Sequence, residues 1–436
     1  MTDLRSQHSY DFSSLTCDPD WSFSSLSAKE TSEGTHAYHS YPMRFVPQLV
    51  RKVLQHYTPP GAVIMDPFMG SGTTIVEAAL KGHAVIGIDV NPLAKLITDA
   101  KVTPIDPVLL SHRVDCMFER AERMKGTAKA PFEPRASERI DFWFPPSQRE
   151  KLEALLAAIQ AERNGDVRRL LMCGFSNILK CCSLWYPGST KPVRSDKRRR
   201  NPEDPFKAMS RQLRIMAERN EELFEYWGPT SAMRRPPIKT LCRDIRLMRL
   251  PASSVDCVIT SPPYVTSYDY AELHQLSLLW LGYAANHQDI RPSFMGAVHG
   301  LHPSQHPTRE LGSNLAASIV DDLRESPAEP HLVRAVTKYY QDMWLFVRKA
   351  RRVLKPGGVL VLVIGNTVLR GVLVRNAEAL AEMGEKQGLR LTQVIRRRIP
   401  LKSIPQRRDP VSGRFTSHQG GTANAYPEEY VIVMNA

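Results

Sequence analysis

The chain has 436 residues, 42% of them hydrophobic and 24% charged, with a formal charge of +13. Those proportions exclude wholesale disorder, and the length suits one large α/β domain with a substantial insertion, or two domains. The positive balance favours a polyanionic partner, nucleic acid first, because each Lys or Arg that neutralises a phosphate releases counterions.

Seven cysteines include the adjacent Cys181 and Cys182 but no CxxC spacing, which argues against a disulfide framework or a zinc cluster and fits a reducing cytoplasm. Met1 to Asp20 is polar without an apolar signal core, and no apolar run reaches the roughly eighteen residues of a membrane span. Neither export nor membrane insertion is expected.

In chain order, residues 1–34 are rich in Ser, Thr and Asp and read as a mobile lead-in. The run Ala62-Val63-Ile64-Met65 predicts a strand. It leads into Asp66-Pro67-Phe68-Met69-Gly70-Ser71-Gly72-Thr73-Thr74 and a helical pattern through Ile75, Val76, Ala79 and Leu80. A second strand, Ala84 to Ile88, ends on Asp89 and completes a βαβ unit, the signature of a parallel sheet.

The next strand, Ile238 to Cys242 before Asp244, comes only after residues 105–235, far longer than the usual two to six residue αβ connection. That stretch reads as a largely helical, basic insertion, with a capping-box spacing at Ser147 and Glu150 before Leu152, Leu155, Leu156 and Ile159. Its segment Arg194 to Arg200, flanked by Pro192 and Pro202, reads as a surface loop.

Val255 to Ile259 then predict a strand, Asn286 to Pro330 a polar stretch, and Tyr339 to Val353 a helix. Gly357 and Gly358 precede the strand Val359 to Ile364, followed by a helix at Ala377 to Lys386 and strands at Leu391 to Ile395 and Glu429 to Met434. The expected fold is a doubly wound, seven-stranded, mostly parallel sheet. Its first three strands lie on one side of the switch point, and its last strand is antiparallel.

A glycine turn after the first strand lets backbone approach a ligand, and an acid at the tip of the second can bond a ribose diol, where Asp89 stands. Gly72 is followed by Thr73-Thr74 rather than Lys-Ser/Thr, so a triphosphate-binding P-loop is excluded, while a nicotinamide cofactor stays open. Thr260-Ser261-Pro262-Pro263-Tyr264 follows a strand directly. Alone it fits a loop corner. At the C-terminal edge of a strand it offers a rigid turn with exposed carbonyls and an aromatic ring on which a planar base can stack.

Asp66 to Thr74, Asp89-Val90-Asn91-Pro92 and Thr260 to Tyr264 together resemble the amino-methyltransferase family that makes N4-methylcytosine or N6-methyladenine in DNA. Ser261 before Pro-Pro-Tyr resembles the N4-cytosine members; Asp or Asn there marks mainly the N6-adenine ones. The resemblance covers residues 35–100 and 238–436, leaving the insertion outside it. It implies a Rossmann-like class I methyltransferase domain made of residues 35–104 and 236–436.

The resemblance further implies S-adenosyl-L-methionine as cofactor, with Asp66, Phe68, Gly70 and Gly72 at its methionine end, Asp89 at its ribose and Asp244 at its adenine, and Ser71, Thr73 and Val90 counted with the cofactor site. His39-Ser40-Tyr41-Pro42 is similar to the segment that closes over the cofactor, and Tyr41 is counted with the site, although a plain surface loop explains the segment equally. Ser261, Pro262, Pro263 and Tyr264 are implied as the catalytic turn, orienting an amine for direct attack on the sulfonium methyl after the base is flipped from the duplex. DNA is the implied partner, a companion restriction endonuclease belongs to the same context, and the location is cytoplasmic, nucleoid-associated in a prokaryote.

Family members with this motif order place target recognition between the third and fourth strands, whereas here the bulk falls between the second and third, at 105–235. Arg198, Arg199, Arg200, Arg407, Arg408 and Arg414 are candidate nucleic-acid contacts, as is the run Arg396 to Arg398, each reading equally as a solvated basic face. His36, His39, His274 and Asp269 have no ligand spacing, so no metal is expected. The rival readings are an N6-adenine enzyme, an RNA base amino-methyltransferase, since RNA guanine-N2 enzymes also use a Pro-Pro-Tyr turn, and a non-catalytic regulator, which would require a broken cofactor motif.

Overall fold

The computed structural model describes residues 10–27, 29–42, 44–194, 201–231, 234–265, 269–296, 308–399, 407–408, 415–416, 423–424 and 428–436. Its strands are β1 (Val63–Asp66), β2 (Ala84–Asp89), β3 (Ile238–Cys242), β4 (Val255–Thr260), β5 (Leu354–Ile364), β6 (Thr367–Leu369), β7 (Val372–Val374), β8 (Arg390–Arg398), β9 (Arg407–Arg408), β10 (Phe415–Thr416), β11 (Ala423–Asn424) and β12 (Glu428–Asn435). Seven of them form one mostly parallel sheet in the order β3-β2-β1-β4-β5-β12-β8, in which β12 runs antiparallel to both neighbours. This is the expected fold class. The near-continuous apolar runs of β1, β2 and β4 suit strands covered on both faces.

The chain divides into two compact units, one of residues 27–249 and 268–301, the other of residues 1–26, 250–267 and 302–436. In the first, β1 pairs in parallel with β2, and β2 with β3. Helices α1 (Pro47–Tyr57), α2 (Thr73–Leu80) and α3 (Pro92–Lys101) accompany these strands, and the stretch expected to be helical supplies α4 (Pro107–Met124), α5 (Pro134–Trp143), α6 (Pro146–Gln160), α7 (Gly165–Ile178) and α8 (Pro205–Trp227).

Short helices α9 (Tyr270–Leu273), α10 (Gln275–Trp280) and α11 (His287–Ile290) complete the unit. One hydrophobic cluster joins α3 through Leu93 and Ile97, α4 through Met117, α6 through Leu155 and Ile159, α7 through Leu171 and Phe175, and α10 through Trp280. Each such side chain contributes about 1.5–3 kcal/mol on burial. The capping box read at Ser147 and Glu150 is corrected: α6 begins at Pro146, so Ser147 lies inside the helix, and the cap position is held by Pro145, whose side chain has no oxygen to accept from the first-turn N–H groups.

In the second unit β4 pairs in parallel with β5, and α12 (Asn314–Glu325), α13 (Pro330–Val353) and α14 (Asn376–Lys386) pack with the strands. The expected polar stretch therefore contains a helix, and the helix expected from Tyr339 starts at Pro330. Residues 10–26 also depart from the mobile lead-in that their composition suggests. Phe12 and Trp21 are buried, and Asp18 N–H donates to the Arg396 carbonyl at 2.7 Å. The physical reason lies in β8, whose arginines reach back to carbonyls of this segment: Arg396 Nη1 to Leu15 O at 2.7 Å and Arg397 Nε to Trp21 O at 2.6 Å.

Candidate functional site

β1 ends on Asp66, buried, whose Oδ1 accepts from Phe68 N–H at 3.0 Å and turns the chain into the glycine loop. The loop is tied to the neighbouring strand: Met69 N–H donates to Ile88 O at 3.0 Å, and Gly70 N–H to Asp89 Oδ2 at 2.9 Å. Gly70 and Gly72 hold φ of 48° and 76°, the left-handed region open to glycine. A Cβ on Gly72 would lie 2.5 Å from Thr98 Oγ1, so α3 packs directly against the loop backbone. Beneath it the fully buried Lys101 donates from Nζ to Ser71 O at 2.8 Å, and burial lowers its ammonium to about 7. Thr73, also buried, opens α2, and its Oγ1 lies 3.4 Å from Ser71 Oγ.

The helix that follows the loop is fastened from the N-terminal side. Glu77, buried on α2, takes His36 Nε2 at 2.8 Å and Arg51 Nε at 2.6 Å. This fixes the segment that carries Tyr41. The Tyr41 ring stands 4.5 Å from the His274 ring, and its Cε1 is 3.4 Å from where a Gly70 Cβ would be. Burial first, then the Asp89 charge, holds the Tyr41 phenol well above its ordinary value, so it is neutral.

Asp89, at the tip of β2, also accepts Asn91 N–H on Oδ1 at 2.8 Å. Burial raises its carboxyl to about 6, against the opposing backbone N–H groups of Asn91, Gly70 and Val90. Three N–H groups leave about one of its roughly four lone-pair sites open, so the group can accept a hydroxyl. Val90 is half-buried, and its carbonyl takes the Cys242 thiol at 3.6 Å. Asp244, two residues beyond the end of β3 at Cys242, is engaged by Arg246 through Nη2–Oδ2 at 2.6 Å and Nε–Oδ1 at 3.0 Å.

The other unit carries the turn after β4. Pro262 is buried, and Ser261, Pro263 and Tyr264 are half-buried. The Tyr264 hydroxyl donates to Glu429 Oε1 on β12 at 2.9 Å, and Ser261 hydrogen-bonds the Tyr264 oxygen. Glu429 Oε2 accepts from Arg397 Nη1 at 2.6 Å, and Arg397, 2% exposed, is committed further to the carbonyls of Trp21 and Ser22. Burial, then Glu429, raises the Tyr264 phenol well above its usual value. The ring is thus oriented by its hydroxyl and stays uncharged.

The family model described as DNA methylase, of the N6 and N4 type, matches residues 5–99. Over 409 residues the chain is 24% identical to the Type II methyltransferase M.MvaI of Kocuria varians, covering 88% of each. It is 23% identical over 401 residues to M.AvaI of a Nostoc species, 84% of this chain and 81% of that one. A local match of 89 residues, 20% of this chain and 17% of the other, is 43% identical to M.MjaII of Methanocaldococcus jannaschii. Along most of its length the chain is thus similar to Type II DNA methyltransferases, and its N-terminal part matches the DNA methylase family model, which together support a DNA amino-methyltransferase.

The cofactor of this methyltransferase is S-adenosylmethionine, which supplies an electrophilic methyl on a sulfonium. The loop fits such a group: two glycines at left-handed φ keep side chains off the backbone, and a half-buried carboxylate with an open lone-pair site stands beside them. The structure brings Tyr41, Gly70 and Asp89 into direct contact, while the Asp244 carboxylate is turned to Arg246.

Of the candidate nucleic-acid contacts in the methyltransferase, Arg198, Arg199, Arg200 and Arg414 lie outside the described residues, as do the side chains of Arg407 and Arg408. The run Arg396 to Arg398 is corrected in part: Arg396 pairs with Glu428 at 2.6 Å and Arg397 with Glu429, so neither is a solvated basic residue. Asp269 pairs with Arg291. No group of three or more His, Cys, Asp or Glu suited to a metal occurs among the described residues, and no described helix is long and apolar enough to cross a membrane. Sequence reasoning missed Lys101 and the pairing of Glu429 with Arg397. For that pair a signal was present, since Glu428-Glu429 and Arg396 to Arg398 are complementary charge runs in β12 and β8.

Proposed function

We propose that this methyltransferase transfers the methyl group of S-adenosylmethionine to N4 of cytosine in DNA. The observation that carries the reading is the Ser261-Pro-Pro-Tyr264 turn, with Tyr264 held by Glu429 and Ser261 on the Tyr264 oxygen. In this reading the flipped base stacks on Tyr264, and its amino hydrogens are accepted by Ser261 Oγ and the Pro262 carbonyl. Those two acceptors draw the N–H bonds into one plane and turn the nitrogen lone pair towards the methyl group.

With the cofactor bound, the nitrogen would bond the methyl carbon as the carbon–sulfur pair passes to sulfur, and the surplus nitrogen proton would pass to solvent. No covalent enzyme nucleophile takes part. Asp66, Phe68, Gly70, Ser71, Gly72 and Thr73 line the methionine end, Asp89, Val90 and Tyr41 serve the ribose side and Asp244 the adenine. Phosphate contacts fall to Arg198, Arg199, Arg200, Arg407, Arg408 and Arg414, with the 105–235 helices contributing to target recognition.

The test is incubation of the purified chain with labelled S-adenosylmethionine and unmodified DNA or RNA, followed by digestion and mass spectrometry of the nucleosides. N4-methylcytosine in DNA is the expected product. N6-methyladenine would overturn the target base, and label confined to RNA would overturn the substrate. Tyr264→Ala with undiminished methyl transfer would remove the stacking role.

A further inference from the structure

Asn91 caps α3 with its side-chain oxygen: Oδ1 accepts from Leu93 N–H at 3.0 Å. That bond fixes which end of the amide is which. The group facing His274 Nδ1 at 3.1 Å is therefore Nδ2, a donor only. His274 Nδ1 must accept, and a neutral imidazole then carries its proton on Nε2. Neutrality follows from burial: His274 is 5% exposed, and desolvation lowers its pKa to about 4.

Nε2 is thus an N–H donor, buried, with no hydrogen-bond partner among the described residues. Native interiors leave few donors in that state, because an unsatisfied one costs about 1–3 kcal/mol. Its position suggests what satisfies it. The same Asn91 gives its backbone N–H to Asp89 Oδ1, and the Tyr41 ring that lies against His274 also lies against Gly70. One residue, Asn91, therefore ties the orphan donor to the acid and the glycine loop of the cofactor site.

We infer that His274 is a further cofactor-binding residue of this methyltransferase, its Nε2–H donating to an oxygen of S-adenosylmethionine, a ribose hydroxyl or the methionine carboxylate. The inference rests on the assignment of Asp89 and the glycine loop to the cofactor. It makes α9 and α10, whose His274 lies 183 residues downstream of Asn91, part of the cofactor wall.

The experiment uses the full chain, 15N-labelled at histidine, with S-adenosylhomocysteine as the probe. Long-range 1H–15N correlation, with His274 assigned by difference from His274→Gln, reads the tautomer and the environment of Nε2. The Nε2-protonated tautomer is expected in the free protein, and its proton moves downfield when the probe is added. Calorimetry is expected to show about tenfold weaker binding for His274→Leu, the loss of one hydrogen bond, and recovery in His274→Gln, whose amide restores a donor.

An unmoved Nε2 signal in a wild-type protein that binds the probe overturns the inference alone and points to a bridging water. A wild-type protein that fails to bind the probe overturns the cofactor assignment as well. If His274→Leu fails to fold because Asn91 Nδ2 loses its acceptor, the wild-type spectrum and His274→Gln decide.

Discussion

Gly72→Ala separates two costs that the glycine loop avoids. The residue sits at φ 76° and ψ 23°, a left-handed conformation that an L-residue adopts at about 1–2 kcal/mol. Its new Cβ would also lie 2.5, 2.7 and 2.9 Å from Thr98 Oγ1, Cγ2 and Cβ. Thr98 is fully buried in α3 and β-branched, so it has no free rotamer into which to retreat, and overpacking of this kind costs about 1–3 kcal/mol. The sum is a loss of roughly 2–5 kcal/mol.

The two parts are resolved by a cycle of Gly72→Ala, Thr98→Ala and the double variant, followed by denaturant unfolding and by calorimetric titration with S-adenosylhomocysteine. Thr98 Oγ1 has no hydrogen-bond partner among the described residues, so Thr98→Ala forfeits packing but no bond. The double variant should recover the overpacking part, about 1–3 kcal/mol, and keep the backbone part. Gly72→Ala with unchanged stability and binding, or a double variant whose losses merely add, would refute the packing argument.

Three further outcomes follow from buried charge. Lys101 has its ammonium lowered by burial from 10.5 to about 7, so between those values the unfolded chain binds more protons and stability rises with pH; urea titrations should show that slope in the wild type and lose it in Lys101→Met. Asp89 has its carboxyl raised by burial to about 6, so its own contribution to stability falls as pH rises from 3.8 to 6. Affinity for S-adenosylhomocysteine, which uses the anion, should fall as pH drops through about 6, and Asp89→Asn should bind weakly without that dependence, measured by titration between pH 5 and 8. Arg397→Met strips Glu429 and two carbonyls of a buried partner and should cost about 3–5 kcal/mol in denaturant unfolding; a loss near zero would show that Glu429 has another counter-charge.

What the sequence disclosed was local. The apolar runs at Ala62 to Met65 and Ala84 to Ile88, the glycines between them and the acid at Asp89 predict β1, the loop, α2 and β2 within two residues of where they stand. The hidden parts are those that distance in the chain separates. Asn91 meets His274 across 183 positions and Tyr264 meets Glu429 across 165, and neither pairing has a spacing to betray it. Arg397 reads as surface inside a run of three arginines; only the register that sets it opposite Glu429 shows that it is interior. The start of α13 was available from Pro330, a residue suited to a first helical turn, but the polar composition before Tyr339 masked it.

The formal charge of +13 also needs reading through the structure. Ion pairs such as Arg246–Asp244 cancel within the count, but Lys101 and Arg44 are spent on backbone carbonyls and cannot reach a phosphate. Each of the six cations proposed for phosphate contact should be visible in the salt dependence of DNA binding. The logarithm of the binding constant falls with that of salt concentration by about 0.9 for each phosphate neutralised. Replacing Arg198, Arg199 and Arg200 by Ala should lower that slope by about 2 to 3 while leaving affinity for S-adenosylhomocysteine unchanged. An unchanged slope would assign the run to solubility and move the phosphate contacts to Arg407, Arg408 and Arg414. A weakened affinity for the cofactor product would instead mean that the run supports the fold, because a purely electrostatic contact with DNA has no means of reaching that site.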